Sequence, residues 1–98
     1  MCGIYLSNKV LSANEIISKL KGMKHRGPDN QSYWVNDQVT LGHVRLSILD
    51  TDQRGNQPMH YQNMSITYNG EIYNYIEIKD DLITNGYDFE TNTDTEVI

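Results

Sequence analysis

Turn-forming residues cut this chain into segments too short for anything but a small mixed fold. Gly3 to Ser7 reads as a strand, with Ile4 and Leu6 flanking Tyr5. Ser12-Ala13-Asn14-Glu15 fits a capping box, and the helix behind it carries Ile16, Ile17 and Leu20 on one face, with Gly22 as its stop. His25-Arg26-Gly27-Pro28-Asp29-Asn30 is a loop by its punctuation. Ser32 to Val35 and Val39 to Leu46 are expected to pair as a hairpin turned at Asn36-Asp37. Thr51 to Pro58 is polar and belongs on the surface. Met64 to Tyr68 reads as a strand stopped by Asn69-Gly70, after which Ile72 and Tyr73 resume the sheet. A second helix near Tyr75 to Thr84 places Tyr75, Ile78 and Leu82 on one face and ends at Asn85-Gly86. Thr93 or Asp94 then looks like a helix start followed by only a few residues, so the chain reads as cut at Ile98. The pattern is α+β, without repeats or low-complexity linkers.

Composition narrows the function classes. The chain has 98 residues, a net charge of -5 and scattered basic groups, the exception being the cluster Lys19, Lys21, Lys24, His25 and Arg26. A nucleic-acid surface needs a dense basic stripe, so no nucleic-acid partner is expected. No apolar run is long enough to span a bilayer, and no apolar segment follows a basic N-terminus, so no membrane partner or signal peptide is expected. The single cysteine allows no internal disulfide, which fits a reducing compartment and makes the cytoplasm the default. The seven tyrosines are scattered and suit half-buried positions. Three separated histidines and one cysteine lack the spacing of metal ligands, and no glycine-rich phosphate loop can be written. Neither a metal nor a nucleotide cofactor is expected in this chain.

Four features can carry chemistry. Cys2 follows Met1, and removal of Met1 would expose a thiol and an α-amino group on one residue. An α-amino group titrates near neutrality, at about 7.7–8.0, so it can act as base for its own thiol. The plain alternative is that Cys2 is a small buried hydrophobe. Asn69-Gly70-Glu71 offers a side-chain amide and an adjacent backbone N–H, the donor pair that stabilises an oxyanion. Asn-Gly is also the commonest hairpin turn. Arg45, in the otherwise apolar stretch His43 to Ile48, needs a partner, either a substrate α-carboxylate or an internal acid such as Asp50 or Asp52. Asp94, with Glu90 and Glu96, could hold an ammonium group or could serve a helix dipole.

Taken together these features align with a family. Met-Cys-Gly-Ile at the N-terminus, HRGPD at 25–29, GHVRLSILD at 42–50, QPM at 57–59, NGEIYNY at 69–75 and TNTDTEVI at 91–98 resemble the class II glutamine amidotransferases, which are N-terminal-nucleophile hydrolases. Pro28, the string RLSI and NGEIYN make the glutaminase domain of the asparagine synthetases the most similar branch. The resemblance implies an αββα sandwich with mainly antiparallel sheets, of which residues 1–98 would be the N-terminal half. It implies that Cys2 attacks glutamine, that Asn69 and Gly70 form the oxyanion hole, and that Arg45 binds the α-carboxylate. Glu71 and Asp94 would then hold the α-ammonium group, with Arg26 in a loop near the nucleophile. Glutamine is the implied small-molecule partner. A C-terminal synthetase domain using ATP and magnesium would pass the ammonia to aspartate, and the family admits a homodimer. A different acceptor, such as a sugar or other metabolite, or a non-catalytic amidotransferase-like module are the alternatives. Because the family's domain needs about twice this length, the isolated 98-residue chain is expected to be poorly stable or inactive.

Overall fold

In the computed structural model, which describes residues 2–98, five strands and two helices follow in the order β1 (Gly3–Ser7), α1 (Ala13–Gly22), β2 (Asn30–Val35), β3 (Thr40–Arg45), β4 (Met59–Tyr61), β5 (Met64–Ile66) and α2 (Tyr75–Thr84). Short 3-10 turns lie at Gln53–Gly55 and Thr95–Val97. All the pairing is antiparallel: β3 runs between β1 and β2, and β4 pairs with β5 as a separate hairpin. The fold is therefore α+β with antiparallel sheets, compatible with the N-terminal part of an αββα sandwich.

Strand β3 divides the molecule. Its Thr40, Gly42 and Val44 face one way and its Leu41, His43 and Arg45 the other, as the two-residue period of a strand requires. The first face receives α1. Ile16, Leu20 and Val44 are fully buried there, with Tyr5, Leu11 and Met23 packed around them. A Cβ at Gly42 would stand 2.8 Å from Leu20 Cδ2 and 3.2 Å from Ile16 Cδ1, so glycine is what lets the helix settle onto the strand. Each fully buried aliphatic side chain contributes about 1.5–3 kcal/mol. The helix starts where the capping box directs: Glu15 N–H donates to Ser12 Oγ, and Ser12 N–H donates to the Glu15 carboxylate at 3.0 Å.

The second face of β3 receives polar loops, and there the sequence expectations shift. The strand expected from Met64 to Tyr68 ends at Ile66 because its next backbone groups are taken by side chains. Tyr68 N–H donates to Gln57 Oε1, and Tyr68 C=O lies 3.3 Å from His43 Nε2. Ile72 and Tyr73 do not resume the sheet, since Ile72 N–H is bound by the Asp94 carboxylate at 2.8 Å. Met59–Tyr61, unmarked in the sequence pattern, forms β4, and its hairpin turns at Gln62 with a φ of 53°. Asn69-Gly70 therefore makes no hairpin turn: it joins β5 to α2. Helix α2 has no fully buried residue, and Lys79 fastens it by donating to Thr91 C=O at 2.8 Å.

Candidate active site

Six of the seven residues singled out above line one cavity of about 280 Å³: Cys2, Arg45, Asn69, Gly70, Glu71 and Asp94. Arg26 is not among its lining residues. It is exposed, and its Cβ comes 3.4 Å from the position a Cβ would take on Gly3, the neighbour of the nucleophile candidate.

Cys2 precedes β1, and one further step of the β1–β3 register would set it opposite Arg45. Its Sγ accepts from Leu46 N–H at 3.3 Å and faces Leu46 C=O at 3.8 Å. The Leu46 backbone is itself pinned from behind. Asp29 N–H donates to Arg45 C=O at 2.9 Å, and Ser47 N–H donates to Asp29 Oδ2 at 2.7 Å. The loop His25 to Asn30 therefore buttresses the turn that holds the thiol. Its closeness depends on Gly27, where a Cβ would overlap the backbone of Val44 and Arg45.

Arg45 is 5% exposed. Its Nη1 donates to Asp52 C=O at 2.8 Å and Asn56 Oδ1 at 3.0 Å; its Nη2 donates to Leu49 C=O at 2.9 Å and to Asp50 C=O. These neutral acceptors take the four Nη hydrogens and leave the charge without a carboxylate in ion-pair contact among the described residues. The internal ion pair with Asp50 or Asp52 is not formed: Asp52 pairs with Arg54 instead, at 3.2 Å. Both carboxyls sit below their ordinary range, Asp50 chiefly because Asn92 N–H donates to it and Asp52 chiefly because Arg54 N–H does. Arg45 thus shapes the 49–56 loop and leaves a positive charge at the cavity wall.

Asn69 and Gly70 face the same cavity with donors that no protein group occupies among the described residues. The Tyr68 ring packs over Gly70, where a Cβ would lie 2.5 Å from the tyrosine oxygen, so this close approach of ring and backbone requires glycine. Opposite charge completes the lining. Glu71 is exposed, whereas Asp94 is 9% exposed. Asp94 stands at the cap position of the 3-10 turn but makes no side-chain cap bond there; Oδ2 accepts from Ile72 N–H and leaves Oδ1 for the cavity. The helix-dipole reading of Asp94 loses its support. Glu90 and Glu96 are elsewhere: the Glu96 carboxylate accepts from Glu90 N–H and Thr91 N–H, both at 2.7 Å.

Two buried residues carry no role in the sequence reading: His43, behind this lining, and Gln57, which forms part of it. His43 is fully buried, with Nε2 on Tyr68 C=O and Nδ1 unpartnered, and burial chiefly pushes its pKa below the ordinary value. Gln57 stands out only within the QPM string, and a lone glutamine in a polar loop carries no periodic signal. Among the described residues no group of three or more His, Cys, Asp or Glu is placed to hold a metal ion, and no helix is long and apolar enough to cross a membrane.

The sequence profile of the glutamine amidotransferase domain matches residues 1–98. A glutamine-hydrolyzing asparagine synthetase 1 of Bacillus subtilis is 45% identical over 87 residues, covering 86% of this chain and 14% of that protein. A glutamine-hydrolyzing asparagine synthetase of Zea mays is 36% identical over 105 residues, covering 100% of this chain and 17% of that protein. The amidase chry2 of Gibberella zeae is 41% identical over 88 residues, covering 86% of this chain and 13% of that protein. The chain thus spans less than a fifth of the length of each of these curated relatives. With a profile match that runs the length of the sequence and a cavity that gathers the residues its motifs single out, the chain belongs to the glutamine amidotransferase family.

Proposed function

We propose that residues 1–98 are the nucleophile-bearing half of a glutaminase domain that hydrolyses glutamine to glutamate and ammonia. The observation that carries this reading is the single cavity joining Cys2, an uncompensated arginine, two free oxyanion donors and two acids. A free α-amino acid is a zwitterion of matching layout. Its carboxylate is drawn toward Arg45, with the field of the guanidinium acting even where its terminal hydrogens are engaged. Its ammonium is met by Asp94 and Glu71. The side-chain carboxamide then reaches the thiol.

The chemistry balances as follows. The Cys2 thiol gives its proton to the α-amino group of the same residue, and the thiolate attacks the glutamine carboxamide carbon. Asn69 and the Gly70 N–H stabilise the tetrahedral oxyanion. Collapse breaks the C–N bond, and the ammonium group formed on Cys2 returns the proton so that ammonia leaves. Water then cleaves the γ-glutamyl thioester, giving glutamate and restoring the thiol. This route needs Met1 removed, and Met1 lies outside the described residues.

The relatives named as asparagine synthetases support aspartate as the acceptor of the ammonia, with a C-terminal synthetase domain as partner. ATP and magnesium would act in that domain. The relative named as an amidase supports a second reading, in which the same half-domain serves a different acceptor. The reading places the protein in the cytoplasm.

The test uses the full-length protein that carries this chain. Intact mass should show Met1 absent, and an electrophilic glutamine analogue should label Cys2. Cys2→Ala should lower glutamate release by roughly 10⁴-fold or more, the scale seen when a nucleophile is deleted. Wild-type turnover in Cys2→Ala would end the proposal.

A further inference from the structure

Gln57 is 6% exposed and is bonded to protein at both ends of its carboxamide. Its Oε1 accepts from Tyr68 N–H at 2.6 Å, and its Nε2 donates to Thr95 Oγ1 at 3.1 Å. The amide can point only this way, because a backbone N–H is always a donor. Its own backbone carbonyl accepts from Ser32 Oγ on β2, which ties the residue to the sheet.

The two partners are the immediate neighbours of the site. Tyr68 precedes Asn69-Gly70, and Thr95 follows Asp94. One buried side chain therefore joins the segment that meets the reacting carbonyl to the turn that meets the α-ammonium group. Among the described residues no strand ladder joins these two segments, and a second link between them is the Ile72 N–H on Asp94 at 2.8 Å. In backbone without a ladder, such side-chain bonds fix the geometry. Oxyanion donors lose their effect when displaced by a fraction of a bond length.

We propose that Gln57 is a positioning residue that sets the spacing between the oxyanion donors and the α-ammonium site, so that recognition of the amino acid end is converted into rate at the carboxamide. This rests on the glutaminase reading. Gln57 lines the cavity too, but both ends of its carboxamide are taken by protein, so it acts through Tyr68 and Thr95 and not on the substrate itself. A residue that merely braces the fold would affect every substrate alike. A spacer would affect most the substrate that uses both ends.

The experiment compares L-glutamine with glutaramic acid, which keeps the carboxamide and one carboxylate but lacks the α-amino group, on the natural full-length protein. Gln57→Met keeps the length and removes both polar ends. It should lower kcat/KM for L-glutamine roughly tenfold to a hundredfold, chiefly in kcat, through the unpaired Tyr68 N–H and the lost link. The preference for L-glutamine over glutaramic acid should shrink by about tenfold, the equivalent of one hydrogen-bonded link. Thr95→Val cuts the same link at its far end and should shrink the preference in the same direction, by less. Alkylation of Cys2 by iodoacetamide needs neither subsite and should proceed at the wild-type rate in both variants. An unchanged preference in either folded variant overturns the proposal, as does alkylation that slows in step with turnover. A wild-type protein that releases no glutamate overturns the glutaminase reading as well, whereas an active wild type with an unchanged ratio overturns only the role of Gln57.

Discussion

The cavity has two walls built by different means. Cys2 and Arg45 stand at the ends of β1 and β3, where a backbone ladder fixes the register and the 25–30 loop is fastened behind it. Asn69, Gly70 and Asp94 stand on irregular backbone held by the side chains of Gln57, His43 and Asp94 itself. The nucleophile and the carboxylate-binding arginine are placed by regular structure, and the oxyanion and ammonium sites by single hydrogen bonds. A change on the sheet wall should therefore cost stability first. A change on the loop wall should cost catalysis at little cost in stability.

Asn69→Ala tests the loop wall most severely. Its side chain lines the cavity and supports nothing else among the described residues, so kcat should fall by roughly 10²–10³ with the unfolding midpoint unmoved. A parallel loss of stability would mean that Asn69 holds the loop together. Asp94→Asn separates the two duties of that residue. The amide oxygen can still accept from Ile72 N–H, so the loop keeps its shape, while the charge facing the substrate ammonium is gone. KM for glutamine should rise about tenfold to a hundredfold with a smaller change in kcat, as expected for a charge-assisted hydrogen bond of ~1.5–3 kcal/mol. A collapse of kcat with KM unchanged would move Asp94 from substrate recognition to the oxyanion hole.

The same contrast governs what could be read in the sequence. The period-two runs, the capping box at Ser12 and the turn at Asn36-Asp37 led to β1, α1 and the β2–β3 hairpin, since each is set by neighbours close in the chain. The loop wall is set by contacts between residues far apart, such as Gln57 with Thr95, and nothing in the local pattern encodes them. The local pattern therefore carries the sheet on through Ile72 and Tyr73 and holds no mark of β4. The candidate residues of this wall were legible through their resemblance to family motifs, whose Asn-Gly alone reads as a turn. Arg45 falls between the two cases. Its need for a partner was legible, but its engagement of four loop acceptors was not.

Gly27→Ala is the corresponding test of the sheet wall. The added methyl would overlap the Val44 and Arg45 backbone, which cannot step aside without breaking the Asp29 N–H contact to Arg45 C=O. Stability should fall by roughly 1–3 kcal/mol, read as a lower urea midpoint. The fraction that remains folded should lose less activity than Asn69→Ala does. Unchanged stability would show that the 25–30 loop is not the buttress of the thiol.

His43 connects the walls, since it rises from β3 and bonds the Tyr68 carbonyl, and its titration gives the mildest test. That carbonyl can only accept, so Nε2 carries the hydrogen and the neutral ring leaves a bare lone pair on the buried Nδ1. Burial lowers the pKa of the folded state, so below about 6.5 the unfolded chain takes up a proton that the folded chain refuses. The unfolded state then binds more protons, and stability must fall as pH falls from about 6.5 toward the lower folded value, by at most ~1.4 kcal/mol per pH unit. Above that range His43 makes no pH-dependent contribution. His43→Gln keeps an N–H for Tyr68 and cannot ionise, so its urea midpoint should lose this part of the pH dependence while carboxylate effects at lower pH persist. An identical slope in the variant would show that the histidine is not held neutral by the fold.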